Sequence, residues 1–132
     1  MGVFERRRED GHLVSTDREL LDIDAVHAAL RESYWAVGIP RSVLDAAIAN
    51  SIPFGVYAPS GGQVGFCRIL TDTAVFGYLA DVIVFDGQRG AGLGTFLVAS
   101  ALEHPDVQSL RRMHLGTADA HGLYERFGFV TD

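Results

Sequence analysis

The sequence predicts an α/β (α+β) fold, a mixed and mostly antiparallel sheet with helices on both faces, from three observations. Apolar runs at residues 54–57, 63–70 and 75–85 are joined only by Pro59-Ser60-Gly61-Gly62 and Thr71-Asp72-Thr73. Connections this short make an antiparallel meander. The third run empties through Gly90, Gly92 and Gly94 into a helix-like stretch at 93–103, and another strand-like run follows at 112–117. A strand, a helix and a strand in that order make a parallel pair with the helix as crossover.

The remaining elements fall around that frame. Residues 12–17 read as a first strand, and 22–30 as a helix whose Ile23, Val26, Ala29 and Leu30 form one apolar stripe. A loop holding Gly38 and Pro40 leads to a second helix, with Pro40 in its first turn and Val43, Leu44, Ala47 and Ile48 toward the core. Two consecutive helices need a sheet beside them. The helix at 93–103 ends near Pro105, and a last helix at 120–127 is capped by Gly128. The charged start, Glu5-Arg6-Arg7-Arg8-Glu9-Asp10, reads as disordered or as a solvated face.

Size and composition bound the rest. A chain of 132 residues with 48% hydrophobic content predicts a single domain over 1–132, able to fold without staples. No apolar run approaches the roughly 20 residues that span a bilayer, and residues 1–10 are charged where a signal peptide would be apolar. Both predict a cytoplasmic protein without membrane partners. A formal net charge of −6 argues against nucleic acid as a partner. Cys67 is the single cysteine, so no intrachain disulfide forms; in a strand-like run it reads as a small buried hydrophobe rather than a nucleophile. The five histidines are too scattered for metal-ligand spacing, and no metal is expected.

The segment Gln88-Arg89-Gly90-Ala91-Gly92-Leu93-Gly94 carries most of the functional information. A strand that turns through alternating glycines into a helix points bare backbone N–H groups into one small space, which suits phosphate. A phosphate loop of the Walker type needs Lys followed by Ser or Thr after the last glycine, and Leu93-Gly94-Thr95 supplies no Lys. A dinucleotide fingerprint needs a G-x-G-x-x-G spacing and an acidic residue roughly 20 positions on, whereas this turn reads G-x-G-x-G and His114 occupies that region. A pyrophosphate held beside Arg89 fits a coenzyme A derivative.

Arg89-Gly90-Ala91-Gly92-Leu93-Gly94 resembles the R/Q-x-x-G-x-G/A signature of the GNAT N-acetyltransferases, and Leu123-Tyr124-Glu125-Arg126-Phe127-Gly128-Phe129 resembles their later LY-x-x-x-GF signature. Ser33-Tyr34-Trp35-Ala36-Val37-Gly38-Ile39-Pro40-Arg41, followed by Ala49-Asn50-Ser51, is similar to the start of a group of small bacterial members, so the resemblance covers nearly the whole chain. It implies an acetyl-CoA-dependent enzyme whose fourth and fifth strands, 75–85 and 112–117, splay beside the glycine turn to form a groove. It further implies that the amides of Gln88, Arg89, Gly90, Ala91, Gly92, Leu93, Gly94 and Thr95 hold the pyrophosphate. Backbone groups of Val82, Ile83 and Val84 would pair with the pantetheine arm like an added strand, and Tyr124 would protonate the departing thiolate. Thr117 stands where many members place an Asn against the coenzyme; a hydroxyl keeps one hydrogen bond but not the amide's pair, and Asp119 or His121 could substitute. Members usually end in a further strand or two. Either this sequence is cut short or that edge is completed by another chain, and an uncovered edge favours a homodimer.

The acceptor side rests on fewer residues. Asp81 is a carboxylate inside an otherwise apolar run and is the leading candidate for base or ammonium anchor, the bland alternative being an ion pair with Arg68. Glu32, near the end of the first helix, is the second candidate. Tyr34 and Trp35 lie in the loop that lines the acceptor pocket in the family, where aromatic rings can stack on an aryl amine or hold a cation. The expected reaction is direct attack by a primary amine of a small molecule or peptide in a ternary complex. The rival of another class is a coenzyme-binding sensor without acceptor chemistry.

Overall fold

The computed structural model describes residues 2–116 and 121–130. Six strands form one sheet in sequence order: β1 (Glu5–Arg7), β2 (Leu13–Ser15), β3 (Ile52–Tyr57), β4 (Gln63–Thr71), β5 (Phe76–Val84) and β6 (Arg112–Leu115). All neighbours are antiparallel except β5 and β6, which are parallel through a crossover containing α3 (Leu93–Leu102) and α4 (Pro105–Gln108). The helices α1 (Ile23–Leu30) and α2 (Arg41–Ala49) precede β3, and α5 (His121–Glu125) follows β6. The predicted meander and parallel pair are therefore both present.

The core is split by the sheet, as expected when each face must be covered. Val14, Phe54, Val56, Cys67, Ile69 and Leu79 pack with Leu97, Val98 and Ala101 of α3 and with Tyr124 of α5. On the other face Phe66 packs with Val26 and Leu30 of α1 and Leu44 and Ile48 of α2.

Three local expectations are sharpened or corrected. Of the two readings of the charged start, the solvated face holds and the disordered run does not: Glu5, Arg6 and Arg7 pair with Ser15, Val14 and Leu13, in a hairpin that turns at Gly11 with φ +96°. Its side chains are exposed, so pairing comes from the backbone rather than from an apolar pattern. Pro40 caps α2 from outside the first turn, at ψ 145°, and Arg41 is the first helical residue. Val43, expected in the core, is 53% exposed, because α2 meets the sheet through the Leu44–Ile48 pair one turn apart. Beyond the predicted elements, the chain forms a short 3₁₀ turn, Arg18–Leu20, and α4, whose N-terminus is capped by His104 Nδ1 accepting from the Asp106 N–H at 3.0 Å. Gly128, at φ +90°, takes the left-handed conformation that stops the turn after α5.

Two irregularities in β5 prepare the site. Between the pairs Phe66↔Ile83 and Arg68↔Ala80, β4 has one residue and β5 has two, a bulge that holds Asp81 at φ +56°. Pairing with β6 stops at Leu79↔Leu115, while β5 continues to Val84. Among the described residues, no further pair joins the two strands.

Candidate active site

The glycine turn stands at the end of β5. Gly87, Gly90 and Gly92 have φ of +83°, +91° and +70°, a region in which a Cβ costs about 1–2 kcal/mol. Gly92 is the N-cap of α3 and no side chain caps the helix, whose first bond runs from the Phe96 N–H to the Gly92 carbonyl at 3.1 Å. The N–H groups of Leu93, Gly94 and Thr95 thus project from the helix start without an intrahelical acceptor. Gly94 differs from its neighbours: its φ is not positive, and a Cβ there would meet only Val84 Cγ2, at 3.8 Å. The fold itself has room for alanine at 94.

Two arginines charge this turn. Arg89 is 68% exposed on its side chain and its Nη2 lies 3.3 Å from the still more exposed Asp86, so it is a loosely held cation. Arg8, which sequence reasoning missed, arrives from the β1–β2 hairpin and donates from Nη1 to the Ala91 carbonyl at 3.0 Å. Its other nitrogens bind Asp10 at 3.1 and 2.7 Å, and its guanidinium sits 5.4 Å from the centre of the Phe96 ring. No sequence spacing announces a contact across more than 80 residues. The only available hint was a basic residue next to the first turn.

Among the described residues, no strand pairs with the β6-facing edge of β5 beyond Leu79, and Val82, Ile83 and Val84 lie half-buried there. Asp81 is turned toward the α1–α2 side. Its Oδ2 accepts from Arg68 Nε at 2.7 Å and its Oδ1 from Trp35 Nε1 at 2.9 Å. Both partners of the ion pair are shielded, with side chains 16% and 11% exposed. The ion pair weighed from sequence is therefore present, joined by an unforeseen indole. Trp35 is 45% exposed, which removes it from the core, and Tyr34 stands edge-on to it with ring centres 5.0 Å apart. Glu32 is solvent-exposed just past α1 and belongs to no described ion pair. Cys67 is fully buried, and burial, followed by the nearby Asp81 charge, pushes its thiol well above the usual range. It is the buried hydrophobe the sequence suggested.

Tyr124, on α5, is 8% exposed and packs edge-on to Phe129, with ring centres 6.2 Å apart. It lines a cavity of about 630 Å³ together with Leu102, Val107, Met113, Leu115 and Phe127. The residues of the glycine turn are not among those lining it. His114, in β6, borders the same space and stacks at a tilt on Phe76, 5.0 Å away. Thr117 and Asp119, with the side chain of His121, lie outside the described residues. Among the described residues no cluster of three metal-ligating side chains forms, and no helix is long and apolar enough to cross a membrane.

The mixed sheet, with its glycine turn between β5 and α3, is the frame against which known proteins were compared. The acetyltransferase (GNAT) domain family matches residues 49–131. A protein of Gibberella zeae named provisionally as an acetyltransferase is 34% identical, over 86% of this chain and 75% of its own length. The crystal structure of a provisionally assigned GNAT-family acetyltransferase from Xanthomonas campestris pv. campestris superposes with a TM-score of 0.88 at 44% identity, covering 92% of this chain and 85% of that one. Glucosamine-6-phosphate N-acetyltransferase from Arabidopsis thaliana shares the fold, with a TM-score of 0.62 at 14% identity, over all of this chain and 94% of its own. The chain belongs to the GNAT acetyltransferase family.

Proposed function

We propose that this protein moves an acetyl group from acetyl-CoA to a primary amine of a small molecule or peptide. The observation that carries this reading is the start of α3, which no side chain caps, at the end of a β5 strand that runs past its last described pair with β6. The turn at 88–95 offers N–H donors and two cations to a pyrophosphate, and the free edge at 82–84 offers backbone groups to the amide-bearing arm that follows it. Open space around Gly90 and the bare surface at Gly94 fit such a ligand.

In the reaction, the amine nitrogen attacks the thioester carbonyl, a C–N bond forms and the C–S bond breaks. The thiolate leaves with a proton from the Tyr124 hydroxyl, which is restored from the proton released by the amine through water. A phenol of pKa near 10 donates to a thiolate of pKa near 8.5 only when held close, so Tyr124 works through position. Asp81, with one lone pair on each oxygen committed to Arg68 or Trp35, retains acceptor capacity for the incoming ammonium and serves as its anchor. Direct attack suits a chain whose one cysteine is buried. The formal net charge of −6 mildly favours a cationic amine over nucleic acid as partner.

The same tie between Asp81, Arg68 and Trp35 favours a second reading, a coenzyme-binding sensor in which this network has become structural. Thermal shifts with acetyl-CoA, desulfo-coenzyme A, ATP and NAD test the ligand class, and thiol release on an amine panel tests transfer. Stabilisation by the two coenzymes with thiol release supports the enzyme. Stabilisation without release on any amine supports the sensor, and no coenzyme shift rejects both.

A further inference from the structure

We infer that Arg68 selects the acceptor, and that the amine this protein takes carries an oxyanion, a carboxylate or phosphate, beside its amino group. The inference rests on the acetyl-transfer reading and names the substrate class of that site. A guanidinium has five N–H donors. At Arg68 one of them, on Nε, is spent on Asp81 Oδ2, and no described group of the chain accepts from the two terminal nitrogens. Four N–H groups therefore remain on a side chain that is only 16% exposed.

Their placement gives them a purpose. Arg68 lies opposite Ala80 and Pro53 on the α1–α2 face of the sheet, and Asp81 ties it to Trp35 of the α1–α2 loop. Asp81 takes the left-handed conformation at the bulge, a region Asp enters more readily than most residues, and its two hydrogen bonds hold its side chain there. The carboxylate thus fixes Nε and leaves the guanidinium's terminal fork unspent, the geometry that grips an oxyanion through two parallel N–H bonds. Charge balance points the same way. Arg68 already offsets the charge of Asp81, so a lone ammonium gains only the hydrogen bond to that anchor, whereas a zwitterion adds its oxyanion on the fork to its amine by the carboxylate. Tyr34 and Trp35, both largely exposed, then border the acceptor rather than enclose a bare cation.

The test compares matched acceptors: an ω-amino acid against its carboxamide, and an ω-aminoalkyl phosphate against its alcohol, by thiol release with acetyl-CoA. The wild type should show a kcat/KM at least about tenfold higher for the oxyanion member of one pair, and that pair distinguishes carboxylate from phosphate. Arg68→Lys keeps the charge against Asp81 but not the fork and should erase the advantage without changing the KM for acetyl-CoA; Arg68→Gln should do the same if it folds. Parity in both pairs, or a preference untouched by Arg68→Lys, overturns the inference while leaving acetyl transfer standing. If no member is turned over, the same compounds are titrated into the desulfo-coenzyme A complex. Binding of an oxyanion member to wild type and not to Arg68→Lys supports the inference, and equal binding or none overturns it. Failure of the transfer reading appears separately, as a missing coenzyme shift or absent thiol release across the wider panel.

Discussion

Tyr124, buried, and His104, half-buried, do different work. Tyr124→Phe keeps the ring against Phe129 and removes only the hydroxyl. In the proposed mechanism turnover should fall roughly tenfold or more with coenzyme affinity nearly unchanged, checked by steady-state rates beside a binding titration. His104 is held neutral: burial lowers its pKa below 6.5, against an opposing pull from Asp106, and its Nδ1 must stay unprotonated to cap α4. Its contribution to stability is present above pH 6.5 and is lost as pH falls through that value toward the lower folded one. Melting temperature should drop between pH 7.5 and pH 5, and His104→Asn, which can cap without titrating in this range, should flatten that slope. The exposed carboxylates Asp10 and Asp72, both held below their ordinary range, lose their hydrogen-bonded form only at more acidic pH.

At the scale of elements, the β5–turn–α3 unit was the most legible part of the sequence, because glycine spacing and an apolar run report backbone conformation directly. Gly92→Ala tests that unit. A Cβ at φ +70° should cost about 1–2 kcal/mol and weaken coenzyme binding, read as a lower melting temperature and a smaller shift with desulfo-coenzyme A. Gly94→Ala separates the two effects, since the fold tolerates a Cβ there and only binding should suffer. What stayed hidden were elements whose side chains carry no pattern. The strand β1, Glu-Arg-Arg, is exposed throughout, and α4 is a single turn announced only by the His104-Pro105 pair that opens it. The bulge at Asp81 also escaped, because a one-residue insertion in a strand leaves the apolar alternation nearly intact.

Across the whole molecule, the sheet has a well-covered middle, with α3 on one face of it and α1 with α2 on the other. In the proposed function the end of β5, beyond its last described pair with β6, receives the ligand. Hydrogen exchange with and without desulfo-coenzyme A should therefore show new protection at 80–84 and 88–95, with β3 and β4 unchanged. Sequence order alone made this layout readable, since short turns force neighbours and a helical crossover forces a parallel pair. The candidate site was readable in its residues but not in its wiring: Asp81 stood out as a charge in an apolar strand, while its tether to Trp35 spans 46 positions and needs the fold to exist.

The reach of Arg8 to the Ala91 carbonyl has a practical corollary. The leading hairpin touches the glycine turn, so under the proposed function affinity handles placed before residue 12 would weaken coenzyme binding, while deletions there would also remove β1 and the packing of Phe4 on the core. A preparation altered there could look inert for reasons unrelated to its chemistry.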